Sequence, residues 1–406
     1  MTISSLFEKW TNTSLVLRIL VGLIIGAILG LTVPQWTGIS ILGTVFVSAL
    51  KAIAPVLVAV LVAASIAKAN GNLGPRFRVL VICYLLSTFI AAMCAVVGSF
   101  MFPVTLQLQD VIEQSAPSAL SDVFSTLLTN MVTNPMLSVS QANYIGILFW
   151  AILIGIALKL CASQETINMV HDFSEVISMT VKWVIQFAPF GILGLVFTSV
   201  SESGLEVFTT YGHLVLLLVS CMLANALIFN PLIAFILTRR NPYPLLFTCL
   251  KESGLQAFFT RSSAANIPIN MNLCKKLELD EDFYSVSIPL GATINMDGAA
   301  VTITVMALAV AHTVGVEVSL MSAIFLSIIA TLAACGTSGV AGGSLLLIPM
   351  ACSFFNIGND IAMQAVAVGF IIGVIQDSVE TALNSSGDVF FTATTEYYDQ
   401  MKNKKQ

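Results

Sequence analysis

Apolar runs of about 20 residues, the length of helix that crosses a hydrocarbon core about 30 Å thick, recur along most of this chain. Of its 406 residues, 57% are hydrophobic and only 10% are charged, a balance foreign to soluble domains. The chain therefore reads as an all-α polytopic membrane protein. Spans fall near 15–33, 41–67, 78–102, 143–160, 174–200 and 211–238, with two more near 283–311 and 362–392, eight in all.

Basic residues orient these spans, because cytoplasmic loops are rich in Lys and Arg. Lys68, Arg76 and Arg78 follow the second span, Lys159 the fourth, and Arg239 and Arg240 the sixth, while Lys402, Lys404 and Lys405 close the chain. Pro103 to Ala142 and Ser201 to Gly212 contain no basic residue. Both termini are expected in the cytoplasm, and 103–142 outside. Met1 to Asn12 is polar and mildly amphipathic, and Leu15 to Val33 is long enough to remain as a span, so no cleavable signal is expected. The net charge of −5 gives no reason to expect nucleic acid as a partner. The eight Cys lie singly, mostly in apolar segments (Cys83, Cys94, Cys221, Cys335). No CxxC or Cys/His cluster is present, which fits small core side chains better than zinc ligands or disulfides. His171, His213 and His312 are scattered near segment ends.

Two stretches do not read as spans. The first, 244–274, has basic flanks on both sides and a middle of Thr260-Arg261-Ser262-Ser263-Ala264-Ala265-Asn266. The second, 320–355, has no basic flank, and its middle is Cys335-Gly336-Thr337-Ser338-Gly339-Val340-Ala341-Gly342-Gly343-Ser344. Arms of about 10–15 residues are too short to cross. Each stretch is expected to enter and return on one side as a re-entrant hairpin, the first from inside and the second from outside. Hairpin followed by span then repeats with opposite orientation over 244–311 and 320–392, an inverted repeat that sets a site near the midplane.

The spans after each hairpin carry acids. From Leu277 to Met401 there is no Lys or Arg, yet Asp297, Asp377, Glu380 and Asp388 lie within apolar sequence. Each carboxylate at mid-membrane depth costs about 2.5–3.5 kcal/mol, so metal ions and a ligand ammonium are the natural counter-charges. Gly291-Ala292-Thr293-Ile294-Asn295-Met296-Asp297-Gly298 weakens a helix and frees carbonyls, which with Asp297 make an all-oxygen cage suited to a hard cation such as Na⁺. Asp377, Glu380, Thr381, Asn384 and Asp388 share one helical face. Asp388 and Asn384 are placed to join Asn295 around a cation, which leaves Asp377 for an ammonium. Ser262 and Ser263 in the first hairpin, and the Gly-rich run through Val340 and Ser344 in the second, offer N–H groups and hydroxyls to an anion such as a carboxylate. Arg261 is the one basic residue at a tip and is positioned to neutralise Asp377 or Glu380 in the empty protein. Tyr84, Ser87 and Thr88 give the third span a polar face toward the site.

Arg261-Ser262-Ser263, Asn295-Met296-Asp297-Gly298, the Gly-rich second hairpin and Asn384-Ser385-Ser386-Gly387-Asp388 together resemble the dicarboxylate/amino acid:cation symporter family, the glutamate-transporter fold. The resemblance spans nearly the whole chain. It implies eight transmembrane helices and two opposed hairpins working as an elevator in a homotrimer within a bacterial inner membrane. It divides the chain into scaffold helices (1–76 and 103–205, the latter with the external loop) and a moving part (77–102 and 206–406). It implies one sodium at Gly291, Asn295, Asn384 and Asp388; a second at Thr293, Ala334, Cys335 and Thr337; and a third at Tyr84, Ser87, Thr88, Asn295 and Asp297. The substrate carboxylate would meet Ser263 and Asn384, and its amine Asp377 with Thr381 beside it. No organic cofactor is implied.

Three departures from the family pattern refine this. Members that carry acidic amino acids have Arg where this chain has Glu380, so a cargo carboxylate would be repelled here. The expectation is sodium-driven import of a small neutral amino acid, serine or threonine, whose hydroxyl meets Glu380 or Thr381. Ala299 replaces a common Thr, and Ala341 a common Pro. The alternative on the same fold is sodium- or proton-coupled uptake of dicarboxylates or other amino acids. An intramembrane hydrolase is disfavoured because no His lies near Ser262 or Ser263 in sequence. An open channel is disfavoured because hairpins closing over polar groups suit alternating access.

Overall fold

The computed structural model describes residues 13, 15–68, 75–108, 129, 131–204, 206–335, 337 and 342–403. Every regular element among them is helical. Helices α1 (Leu15–Thr32), α2 (Ser40–Lys68) and α3 (Pro75–Met101) match the first three expected spans. Most of the expected outer loop lies outside the described residues. A short α4 (Pro135–Ser140), capped by the Asn134 side chain, leads into α5 (Tyr144–Cys161).

The span expected near 174–200 is two helices. Helix α6 (Gln164–Gln186) gives way at Phe187 to α7 (Ala188–Ser203), which leaves at 52°. The cause is Pro189: it has no N–H for the carbonyl of Ile185, and its ring would strike that carbonyl in a continuous helix. Helix α8 (Glu206–Ala224) passes through a π turn (Asn225–Phe229) into α9 (Asn230–Thr238).

Both stretches expected as hairpins consist of short helical arms. In the first, α10 (Tyr243–Cys249), a π turn (Leu250–Gly254) and α11 (Leu255–Thr260) make the outgoing arm, and α12 (Ser263–Lys276) returns. The outgoing arm is longer than expected. Next come α13 (Glu281–Ile294) and α14 (Asp297–Thr313), one span broken at Asn295 and Met296. The second hairpin has α15 (Leu320–Ala334) as one arm; a 3₁₀ turn (Ser344–Leu347) and α16 (Ile348–Ser353) form the other. Most of its tip, Val340 included, lies outside the described residues. Helix α17 (Asn359–Asn403) is a single rod of 45 residues, longer than the 362–392 span expected. Arg76 explains the extension: it bonds Asp280 at 2.7 Å and lies within 3.5 Å of Glu396 and 3.8 Å of Asp399, covering the acids of the last turns. Its hydrogen bond holds the Asp280 carboxyl below the usual carboxylate range.

Helices α1, α2, α5, α6 and α7 pack mainly on one another, whereas α3 and the helices from α8 onward gather around α14 and α17. Every residue of α14 from Asp297 to Ala311 is buried, as befits a helix that is apolar all round. The outer surface of the first group exposes large apolar side chains: Leu160 is 77% exposed, Met169 65% and Trp183 64%.

Gly22, Gly26 and Gly30 repeat every fourth residue along α1 and face the backbone of Pro189, Leu193 and Phe197 of α7. Small residues in this spacing let membrane helices approach closely. A Cβ at Gly26 would stand 2.5 Å from the Leu193 carbonyl oxygen. Gly26→Val is expected to cost about 1–3 kcal/mol and to lower the unfolding midpoint of the purified protein in detergent. Gly38→Ala, at a position with nothing within 4 Å, is expected to leave it unchanged. Equal midpoints for the two variants would contradict this packing.

Candidate functional site

The break between α13 and α14 organises the site. Asn295 (φ −92°, ψ 79°) and Met296 (φ −122°, ψ 52°) leave the helical region, which places Asp297 in the first turn of α14, where the aligned peptide dipoles favour negative charge. Its Oδ2 lies 2.5 Å from Ser87 Oγ and accepts from Asn225 Nδ2 (2.8 Å) and Asn230 Nδ2 (2.9 Å); its Oδ1 accepts from Thr88 Oγ1 (3.0 Å). In an α-helix, residues five apart point about 140° away from each other. The π turn between Asn225 and Asn230 widens the coil and turns both amides to one side. Sequence spacing alone therefore hides this pair; the only hint was two Asn and Pro231 inside an apolar span.

Asn295 and Asp388 form the second centre. Asn295 Nδ2 donates to Asp388 Oδ1 (3.0 Å) and to the Asn384 carbonyl (3.1 Å). Asn384 Oδ1 accepts the Gly298 N–H (2.8 Å), and its Nδ2 rests on the Met296 sulfur at 3.4 Å, a weak acceptor. Among the described residues, two buried oxygens of this cluster have no hydrogen-bond partner, Asn295 Oδ1 and Asp388 Oδ2. Buried acceptors are normally satisfied, and an open carboxylate oxygen beside an open amide oxygen fits a hard cation. Gly291 makes the room: a Cβ there would lie 2.7 Å from Asp388 Oδ1 and 2.8 Å from the Tyr84 hydroxyl. That hydroxyl sits 3.2 Å from the Asp388 carbonyl, 3.3 Å from the Ser287 carbonyl and 3.3 Å from Thr392 Oγ1. The structure thus brings Ser87, Thr88 and Asp297 together, but Tyr84 and Asn295 bond on the Asp388 side.

The ends of α13 and α15 meet nearby. Cys335 Sγ lies 3.6 Å from the Ile294 carbonyl and 3.4 Å from that of Thr331. The Ala334 carbonyl accepts both the N–H (3.0 Å) and the hydroxyl (2.8 Å) of Thr337, while Thr293 Oγ1 bonds back to Leu290 at 2.7 Å. Two helix C-termini brought face to face concentrate partial negative charge.

Both hairpin tips converge on Asp377. Arg261 adopts the left-handed conformation (φ 51°, ψ 36°) that ends α11, and Ser262 caps α12 by accepting the Ala265 N–H at 3.2 Å. Arg261 Nε donates to Asp377 Oδ2 at 2.6 Å, and the Gly342 N–H of the second hairpin donates to Oδ1 at 3.3 Å. Of the two acids expected for Arg261, the structure selects Asp377. Arg261 reaches Asp377 across the chain, although its buried Nη1 has no partner among the described residues. Ser263 is buried at the start of α12. Thr381 Oγ1 bonds back to the Asp377 carbonyl at 2.7 Å. Glu380 is approached by Thr302, Ser344 and Gln376; Thr302 and Gln376 were not anticipated. Nor was the buried cluster that fastens the first hairpin to α17. There Asn266 donates to Ser385 Oγ (2.8 Å), Asn270 donates to the Ser385 carbonyl (3.0 Å), and Ser253 Oγ lies 2.5 Å from Asn270 Oδ1.

Long apolar helices, a lipid-facing exterior and acids gathered under two hairpin tips at a broken helix define a multi-pass membrane transporter, not an enzyme. The model of the sodium:dicarboxylate symporter family matches residues 15–397, and the chain belongs to that family. It is 57% identical over 400 residues to the serine/threonine transporter SstT of Bifidobacterium adolescentis, covering 98% of this chain and 93% of the relative. Proteins of the same name from two strains of Streptococcus thermophilus are 53% identical over 391 residues, covering 96% of this chain and 97% of theirs.

Asn230→Leu removes one donor from a fully buried carboxylate and is expected to cost about 1–3 kcal/mol, read as a lower unfolding midpoint in detergent. An unchanged midpoint would mean that Asp297 does not depend on Asn230.

Proposed function

We propose that this chain imports serine and threonine across the cytoplasmic membrane of a bacterium, drawing on the sodium gradient. The observation that carries the reading is the pair of unsatisfied oxygens, Asn295 Oδ1 and Asp388 Oδ2, beside the convergence of both hairpins on Asp377. The names of the relatives support the choice of cargo.

In this reading sodium is cargo and counter-charge at once. One ion sits among Gly291, Asn295, Asn384 and Asp388. A second sits where the carbonyl ends of α13 and α15 meet, at Thr293, Ala334, Cys335 and Thr337. A third lies near Tyr84, Ser87, Thr88, Asn295 and Asp297, where it must share Asp297 with its amide donors. The substrate amine binds Asp377, loosening the Arg261 pair, and its carboxylate takes Ser263 and the free amide hydrogens of Asn384. Val340, Ser262 and Ser344 close over it. Glu380 excludes a second carboxylate, which argues against a dicarboxylate cargo. The group of helices around α14 and α17 moves as an elevator past α1, α2, α5, α6 and α7. Those five helices hold three copies together, and both termini face the cytoplasm.

The test is uptake of radiolabelled serine by proteoliposomes. An inward sodium gradient is expected to drive uptake, with threonine competing and aspartate failing to compete. Uptake indifferent to the gradient would reject the reading. Asp388→Asn is expected to raise the sodium concentration for half-maximal uptake roughly tenfold or more, and Asp377→Ala to abolish uptake. Normal sodium dependence in the first variant, or normal transport in the second, would overturn those assignments.

A further inference from the structure

We infer that Thr302, Ser344 and Gln376 act as positioning residues that fix the Glu380 carboxylate and thereby make it a reader of the cargo's hydroxyl, an inference that rests on the serine and threonine reading above. Three neutral donors from three parts of the fold converge on one oxygen. Glu380 Oε2 lies 2.7 Å from Thr302 Oγ1 in α14, 2.9 Å from Ser344 Oγ in the second hairpin, and 2.5 Å from Gln376 Nε2 one turn earlier in α17. Among the described residues no hydrogen bond reaches Oε1.

The direction of each bond is set by the chemistry. Gln376 Nε2 also donates to Thr302 Oγ1 at 2.7 Å. With that lone pair filled, the single Thr302 proton goes to the carboxylate at 2.7 Å in preference to the Gly298 carbonyl at 3.1 Å, the shorter contact being the stronger bond. Oε2 is saturated, so the group cannot swing, and Oε1 is left as the open acceptor. The guanidinium at this site is engaged by Asp377, and among the described residues no cation reaches Glu380. It stands three residues from Asp377 on the same helical face. An amino acid held by its amine at Asp377 brings its side chain to this oxygen. A β-hydroxyl satisfies Oε1 with a charge-assisted bond; a methyl group leaves it buried and unpaired; a carboxylate is repelled.

Ser344 adds a second consequence. Its hydroxyl ties the second hairpin to the Glu380 carboxylate on α17.

The test measures KM for serine and for alanine in proteoliposomes under a sodium gradient. In the unaltered protein serine is expected to have a KM at least about tenfold below that of alanine. Thr302→Val, which keeps the shape and drops the hydroxyl, and Ser344→Ala are expected to shrink that ratio roughly three- to tenfold, chiefly through the serine KM. Thr302→Ser is expected to restore it. A ratio that stays constant in Thr302→Val and Ser344→Ala, or that Thr302→Ser does not restore, would overturn the inference. Should Thr302→Val not transport, the shifts in unfolding midpoint produced by serine and by alanine on the purified protein supply the same ratio, with the same outcomes. Failure of the unaltered chain to take up serine with sodium is a separate result, and it would remove the transport reading before any variant is compared.

Discussion

A carboxylate withdrawn from water must be met by charge or by hydrogen-bond donors, and this requirement shapes the centre of the molecule. Four of the acids buried around α14 and α17 are each met differently. Asp297 receives hydroxyl and amide donors, Asp377 a guanidinium, and Glu380 three neutral donors on one oxygen. Asp388 receives a single amide and keeps one oxygen open. A site left incomplete by the protein can be completed by an ion at little cost in reorganisation, which is the basis of the proposed cation site at Asn295 and Asp388.

Irregular backbone delivers those groups. A regular helix spends its N–H and C=O groups on itself and has none to offer a ligand. Here the break at Asn295 and Met296, the π turn before Asn230, and the left-handed Arg261 each free a polar group or redirect a side chain at membrane depth. Such backbone is tolerated in a membrane only where protein or a watery cavity covers it, and all three face α17 or α3 rather than the outer surface.

Much of this was legible in the sequence, for physical reasons. Hydropathy located the long helices, and apolar arms too short to cross, read with the basic or non-basic character of their flanks, located the two hairpin stretches. The Gly-rich, Asn-containing interruption before Asp297 announced the helix break, and one helical face gathered Asp377, Glu380, Asn384 and Asp388. What stayed hidden depends on geometry that periodicity does not encode. Asn225 and Asn230 reach one carboxylate only because the turn between them is wide. Thr302 and Gln376 look like ordinary polar residues until two helices are placed side by side. The bend at Phe187 needed Pro189 to be read as a break inside an apolar run. Arg261 was assigned an acid from a pair of choices, and only the folded arrangement selects Asp377.

The central claim is that Asn295 and Asp388 leave an opening for a monovalent cation. The direct measurement is crystallographic: the protein crystallised with thallium in place of sodium, with anomalous scattering used to locate the ion. The account predicts an anomalous peak within coordination distance of both Asn295 Oδ1 and Asp388 Oδ2, lost when excess sodium is restored. A map without a peak there, with those two oxygens bonded to protein donors instead, would contradict it.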